Sequence, residues 1–228
     1  TVTEHATLDE RVRSESAARR GRERAETRRT ILDAATRIFA DVGAEQASMR
    51  QIAAAAGYTA TTIYNYFEDK DDLLFNVVLD GFGTFGERLR EAADGEDDPA
   101  ERYVALGLAY VGFAVDFPFH YQLMFIDKPE LLDRELPDGS ARPIESFETL
   151  EWTISEAVEA GVLPAHVDQE MLALETWAQV HGVAAMMITS DYLDESQALS
   201  LQRHAGRTML RGLRQEASEE RGANESAE

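Results

Sequence analysis

The sequence predicts an all-α protein in two helical domains, and three observations carry that prediction. Apolar residues recur at steps of three and four along most of the chain, which places them on one face of successive helices. No segment shows the strict alternation of a half-buried strand. The residues that interrupt the pattern, Gly43, Gly57, Pro118 and Gly161 among them, fall between periodic stretches, where helices end. With 228 residues, 44% of them hydrophobic, the chain has room for a small domain and a larger one.

Residues 1–24 carry Arg, Glu, Ser and Ala without an aromatic side chain, and are expected to be a flexible arm of mixed charge merging into a helix. From Thr27 the apolar positions Ile31, Leu32, Ala35, Ile38, Phe39 and Val42 predict a helix closed by Gly43. Ser48 and Gln51 have the spacing of a capping box, in which each side chain serves the other's backbone N–H. Met49, Ile52, Ala53 and Ala56 then form a short apolar stripe as far as Gly57, and Thr59 can cap a second short helix through Tyr66. Asp69, Asp71 and Asp72 suit the positive end of the next helix, which runs by Leu73, Val77, Phe82 and Phe85 to about Ala93.

Beyond a break at 95–99, Tyr103, Leu106, Tyr110, Phe113 and Phe117 predict a helix stopped by Pro118. A short helix over 120–126 and a loop over 127–142 follow. Ile144, Phe147, Leu150, Ile154 and Val158 predict a helix ending at Gly161, and two long helices are expected at about 168–190 and 195–215. The polar tail 216–228 is expected to be disordered. The domain reading is therefore an arm at 1–24, a small domain at 25–72, a larger one at 73–215 and a tail.

Charge is distributed unevenly. The net is −21, from 22 Lys+Arg against 43 Asp+Glu. Residues 11–70 hold 11 basic and 8 acidic side chains, whereas 71–228 hold 11 and 32. Phosphate attraction supplies much of any affinity for nucleic acid, so a positive end apart from an acidic body suits a DNA reader with a second domain. Lysine occurs only at 70 and 128. That scarcity, with the acid excess, fits a salt-rich cytosol, and an Arg-biased genome accounts for it equally.

Several function classes lose support. The chain has no cysteine, which removes disulfides, thiolate zinc sites and a thiol nucleophile together. Its five histidines are isolated, and no phosphate-cradling glycine loop or metal motif is present, so neither an enzyme nor a resident metal or cofactor is expected. No run of about 18 apolar residues exists, and the polar start is unlike a signal peptide, so no membrane association and a cytoplasmic location are expected. The first residue is Thr1 rather than Met, and a trimmed start is the expectation.

The stretch 48–66 is two short helices joined at Gly57, with small residues at 53–56 that let them cross closely. Such a unit is either an ordinary helical hairpin or a helix-turn-helix whose second helix enters a major groove. Residues 27–78 resemble the N-terminal domain of the TetR family of transcription regulators. The resemblance lies in Ile31-Leu32-Asp33-Ala34-Ala35 with Phe39 and Gly43, in Ser48-Met49-Arg50-Gln51-Ile52-Ala53 with Ala56-Gly57, and in Thr62-Ile63-Tyr64-Asn65-Tyr66-Phe67 with Lys70 and Leu73-Leu74. It implies that Ser48 meets a phosphate and that Arg50 reads a base edge, a phosphate contact or structural ion pair being the other role for Arg50. It implies further that Thr59, Thr61 and Thr62 face the groove, and that Tyr64 and Tyr66 position the backbone. Lys70 would clamp a phosphate, and Asn65 is a weaker member of the set. Tyr64 has a core role as its alternative. The acids at 68, 69, 71 and 72 depart from what DNA contact favours. Arg19, Arg20, Arg22 and Arg24 could offset them from the arm, or form a solvated charged surface.

Trp177-Ala178-Gln179-Val180-His181-Gly182 and the 117–125 stretch resemble a Trp-His-Gly subgroup of the family's C-terminal domains. Trp177 and His181 share a helix face, as a structural pair or as ligand contacts. The residues Phe113, Phe117, Tyr121, Met124, Phe125, Trp152, Trp177 and His181 are the candidates for an apolar or aromatic small-molecule effector, and most of such a set is core in any helical domain. The reading is a ligand-released repressor that binds a palindromic double-stranded operator as a homodimer through 168–190 and 195–215. A helical protein-binding adaptor that does not bind DNA is the alternative.

Overall fold

The computed structural model describes the backbone of residues 2–128, 145–190 and 192–225, and the side chains of 15–128, 147–190 and 192–215. Among the described residues every regular element is helical: α1 (Val2–Val42), α2 (Met49–Ala56), α3 (Ala60–Tyr64), α4 (Lys70–Asp94), α5 (Pro99–Asp116), α6 (Pro118–Gln122), α7 (Glu145–Glu159), α8 (Gln169–Thr189) and α9 (Glu195–Glu225). A single π-helical turn, Leu123–Asp127, follows α6 and is closed by a bond from Lys128 N to the Leu123 carbonyl. Most of the expected loop 127–142 lies outside the described residues. No single described helix is long and apolar enough to cross a membrane.

Two ends differ from expectation. The segment 1–24, expected as a flexible arm, continues α1 from Val2, because Ala, Arg and Glu are strong helix formers and Arg19 pairs with Glu23 one turn on, at 3.5 Å. The tail expected to be disordered extends α9 to Glu225 for the same compositional reason. Residues 226–228 lie outside the described residues.

The chain divides into two compact units, 1–77 and 78–228, with the division inside α4. In the first unit α1 packs on α2 and α2 on α3. Its core is one apolar layer, with Ile31, Ala35, Phe39, Ile52, Ile63, Phe67 and Leu73 all nearly inaccessible to water. In the second unit α5 is the central helix, packed against α6, α7, α8 and α9. It buries nine of its residues, from Ala100 to Ala114, so side chains enter the core from nearly all round it. At Gly107 a Cβ would meet the buried Gln202 amide of α9, so a side chain there would force that amide to shift. Gln202 is in turn held by Gln179 of α8, at 2.9 Å.

Candidate nucleic-acid interface and ligand cavity

The capping box expected at Ser48 is formed. Gln51 Oε1 accepts from Ser48 N at 2.9 Å and from the Ser48 hydroxyl at 2.7 Å, while Gln51 N donates to that hydroxyl. At the other end of α2, Gly57 takes φ 75°, the left-handed conformation that a Cβ disfavours, and turns the chain into α3. Thr59 caps α3 by accepting from Thr62 N at 3.2 Å, and the two hydroxyls lie 2.9 Å apart. Ile63 and Phe67 fix α3 from behind.

What remains outward is polar. Arg50, Thr59, Thr61, Tyr64 and Asn65 are exposed, Thr62 and Tyr66 half-buried, and the Tyr64 ring is 54% exposed. The core role that was the alternative for Tyr64 does not hold, and the threonines are not sealed in the core. Their hydroxyls are not equivalent, however. Those of Thr59 and Thr62 are spent on the helix cap, which leaves Thr61 as the threonine turned outward without such a duty.

The charges around α3 have duties that spacing alone did not reveal. The Arg24 guanidinium donates to the Asn65 carbonyl at 3.1 Å and lies 4.6 Å over the Tyr66 ring. Arg28 bonds Asn76 and covers Phe67. Arg24 is thus a brace between α1 and the end of α3 rather than part of a loose arm. Asp69 and Asp72 are caps: Asp69 Oδ1 accepts from Asp72 N at 2.8 Å, and Asp72 Oδ2 from Glu68 N at 2.9 Å. Two of the four acids near Lys70 thus bind backbone N–H groups at the start of α4. Lys70 Nζ donates to the Glu45 carbonyl at 2.9 Å, which holds the amine near the α1–α2 loop.

In the second unit, side chains of α4, α5, the π-turn, α7 and α8 surround a cavity of about 70 Å³ that is partly open to solvent. Phe85, Leu89, Leu106, Phe125, Leu150 and Val180 give it apolar walls, and the polar atoms belong to Tyr103, Tyr110, Thr176 and Trp177. These polar groups are already engaged. The Tyr103 hydroxyl lies 2.7 Å from Thr176 Oγ1. Tyr110 lies 3.2 Å from His181 Nδ1, and Tyr121 lies 2.8 Å from that nitrogen and 3.3 Å from the His181 carbonyl oxygen. Burial pushes the Tyr103 phenol up to about 12, raises Tyr110 and Tyr121 as well, and lowers His181 below its ordinary 6.5. The imidazole is accordingly held neutral.

Of the eight side chains expected to meet a ligand, Phe125 and Trp177 line this cavity. Phe113, Tyr121 and Met124 are instead fully buried core, and Phe117 stacks on Phe113 at 5.3 Å. His181 stands one layer back, its ring stacked on Trp177 at 5.4 Å and edge-on to Phe125. Trp152 is 43% exposed beneath the Arg102 guanidinium, outside the cavity lining. Periodicity identified buried faces but could not say which of those residues edge a void. That is why Phe85, Tyr103, Leu106 and Thr176 were missed. Among the described residues no cluster of His, Asp or Glu has the arrangement of a metal site.

Two short helices crossing at a glycine turn, with a polar face on the second, define a helix-turn-helix DNA-binding protein. Comparison with known proteins agrees. Residues 31–77 match the family described as bacterial regulatory proteins, tetR family, and 103–208 match the tetracyclin repressor-like C-terminal domain, together about two thirds of the chain. The chain belongs to the TetR family of transcriptional regulators. It is 28% identical over 186 residues to the HTH-type transcriptional regulator AcrR of Shigella flexneri, covering 79% of this chain and 84% of that one. A TetR-family regulator from Pectobacterium atrosepticum superposes with a TM-score of 0.64 at 27% identity, over 84% of this chain and 95% of that one. The regulator FadR of Bacillus subtilis, solved in complex with stearoyl-CoA, shares the fold with a TM-score of 0.64 at 18% identity, over 79% and 96%.

Proposed function

We propose that the protein is a cytoplasmic repressor that binds a palindromic operator as a homodimer and releases it when a small molecule enters the cavity of the second unit. The observation that carries the DNA half is the outward set at α3, with Thr61, Tyr64 and Asn65 free of the core while Ile63 and Phe67 anchor the helix behind them. In this reading Thr61 and Arg50 meet base edges, and Ser48, Tyr64, Tyr66 and Lys70 meet phosphates. Thr59 and Thr62 contribute chiefly by shaping the helix start.

Dimerisation is supported by an unpartnered face. Along α8 Met171, Leu174 and Met186 are exposed large apolar side chains, and along α9 Leu201 is another. Ala178, Gly182 and Ala185 interleave with the first set, and Ala205 and Gly212 follow the second. A Cβ at Gly182 or Gly212 would meet nothing within 4 Å in one chain, so the small residues there serve a close crossing with a second copy. Two recognition helices about one DNA turn apart then read a two-fold operator.

The cavity supports an uncharged apolar or aromatic effector. Among the described residues no Lys, Arg, Asp or Glu lines it, and its hydroxyls already have partners. A ligand can shift the protein between DNA-bound and released forms only by its differential affinity for them. Footprinting on the DNA upstream of the gene, with a scrambled sequence as control, tests the proposal. A protected palindrome is expected, bound about an order of magnitude or more weakly by Tyr64→Ala, as loss of a well-placed contact implies. Protection that is absent at every salt concentration, in favour of stable complexes with other proteins, would support the adaptor reading instead.

A further inference from the structure

Arg20, Arg24 and Arg28 stand one turn apart along α1, on the face that farther along buries Ile31 and Ala35. The last two have duties within the fold: Arg24 holds Asn65 and covers Tyr66, while Arg28 holds Asn76 and covers Phe67. Arg20 is exposed and, among the described residues, has no partner. It is the one arginine of this row that the fold does not use. Its place is nevertheless fixed, because α1 runs unbroken from Val2 to Val42. Four residues advance a helix by about 6 Å, so Arg20 stands that far beyond the contact of Arg24 with the end of α3. That is the end which carries Tyr64, Asn65 and Tyr66.

The neighbouring arginines differ from it. Arg19 is drawn into a pair with Glu23, at 3.5 Å. Arg22 is exposed and, among the described residues, as unpaired as Arg20. Two residues turn a helix by about 200°, however, which puts Arg22 on the opposite face. At the other side of α3, Lys70 is the one lysine of this unit and already spends a bond on the Glu45 carbonyl. Glu68, Asp69, Asp71 and Asp72 flank it in sequence. A duplex lying against α3 meets those acids, and a guanidinium one turn outside Arg24 offsets their repulsion.

We propose that Arg20 is a DNA-backbone contact outside the helix-turn-helix, gripping a phosphate of the strand that passes the end of α3. The inference rests on the reading of α3 as the groove-facing helix. The helical form of the arm decides which part of the duplex is met. An extended arm can enter the minor groove, about 6 Å wide, but a helix about 10 Å across cannot. A helix braced by Arg24 instead leans on the flank of the duplex, where phosphates are the accessible groups. The contact reads no bases. It adds affinity and fixes the register of each protomer on its half-site.

Fluorescence anisotropy with the full chain tests this on two labelled duplexes. One carries the footprinted palindrome with about ten base pairs on each side, roughly a further helical turn, and the other has the palindrome scrambled. Arg20→Ala should weaken binding to the first about tenfold and leave the melting temperature unchanged. It should also reduce the slope of log affinity against log salt by about 2, one phosphate for each protomer. Arg20→Lys should recover most of the loss. Arg22→Ala removes the same charge from the opposite face and should change affinity by no more than about twofold. Phosphate ethylation should interfere with the parent at a position outside each half-site, and not with Arg20→Ala. Equal losses from Arg20→Ala and Arg22→Ala would reduce the effect to general charge and overturn the contact. So would an unchanged salt slope or an unchanged ethylation pattern. In each of those cases the parent still prefers the palindrome, and the DNA reading stands. A parent that holds both duplexes alike overturns that reading, and this proposal with it.

Discussion

Around α3 the polar side chains point away from the core and either cap their own helices or face solvent. Around the cavity of the second unit they point inward and bond one another, as Tyr103 does with Thr176, and Tyr110 and Tyr121 with His181. The first arrangement leaves Thr61, Tyr64 and Arg50 available to a ligand made of phosphates and base edges, and loads the stability of the unit onto one thin layer of apolar residues behind them. The second spends its polar groups on the fold, so that what it offers a ligand is apolar surface. One unit keeps its polar chemistry for a partner, and the other has consumed it.

That contrast can be broken most severely at Phe67. Its ring is 1% exposed behind α3, and Phe67→Ala should cost about 3–5 kcal/mol. Thermal melting followed by circular dichroism should show a large loss of stability, with operator binding lost. A melt unchanged from the parent would show that the layer behind α3 is not what holds it.

Tyr121→Phe acts on the other side of the comparison. It removes a hydroxyl from the buried His181 pair, leaving Tyr110 as partner to Nδ1, and should cost about 1–3 kcal/mol of stability with operator contacts untouched. Gly57→Val forces a β-branched residue into φ 75° and should cost about 1–2 kcal/mol, concentrated in the first unit and read as a fall in denaturation midpoint together with weakened operator binding.

The smallest effect is a pH dependence confined to the second unit. His181 has a folded pKa below its ordinary 6.5 because burial disfavours the imidazolium. Below pH 6.5 the unfolded chain therefore takes up the proton more readily, and stability declines from there down to the lower folded value, where the decline ends. At the alkaline end Tyr103 stays neutral in the fold to about 12, so its contribution is complete below pH 10 and is lost between 10 and about 12. Denaturant titrations across both windows check this, and His181→Gln should flatten the acid-side decline.

Much of the first unit was legible in the sequence because its signals are local. The Ser48–Gln51 cap, the Gly57 turn and the Thr59 cap each involve residues within a few positions of each other, and all are formed as their spacing predicts. The duties of Arg24, Arg28 and Lys70 were not legible, since each is settled by a group 25 to 48 positions away. In the second unit the helices were readable from periodicity, but the cavity was not. Phe113 and Phe85 have the same chemistry and both are buried, yet only the three-dimensional path decides which of them borders empty space. Low-complexity ends misled in the opposite direction, because a run of Arg, Glu and Ala satisfies the compositional signature of disorder and the propensity of a helix alike.

The π-helical turn after α6 has one consequence for how sensors of this build diversify. Its ring holds one residue more than an α turn, and Phe125 sits within it, against the cavity. Because a helix advances by about 100° per residue, losing that single residue would swing the benzyl group off the void and bring a neighbour round in its place. A one-codon deletion there would thus exchange one wall of the cavity in a single step, a larger change than most point substitutions can make.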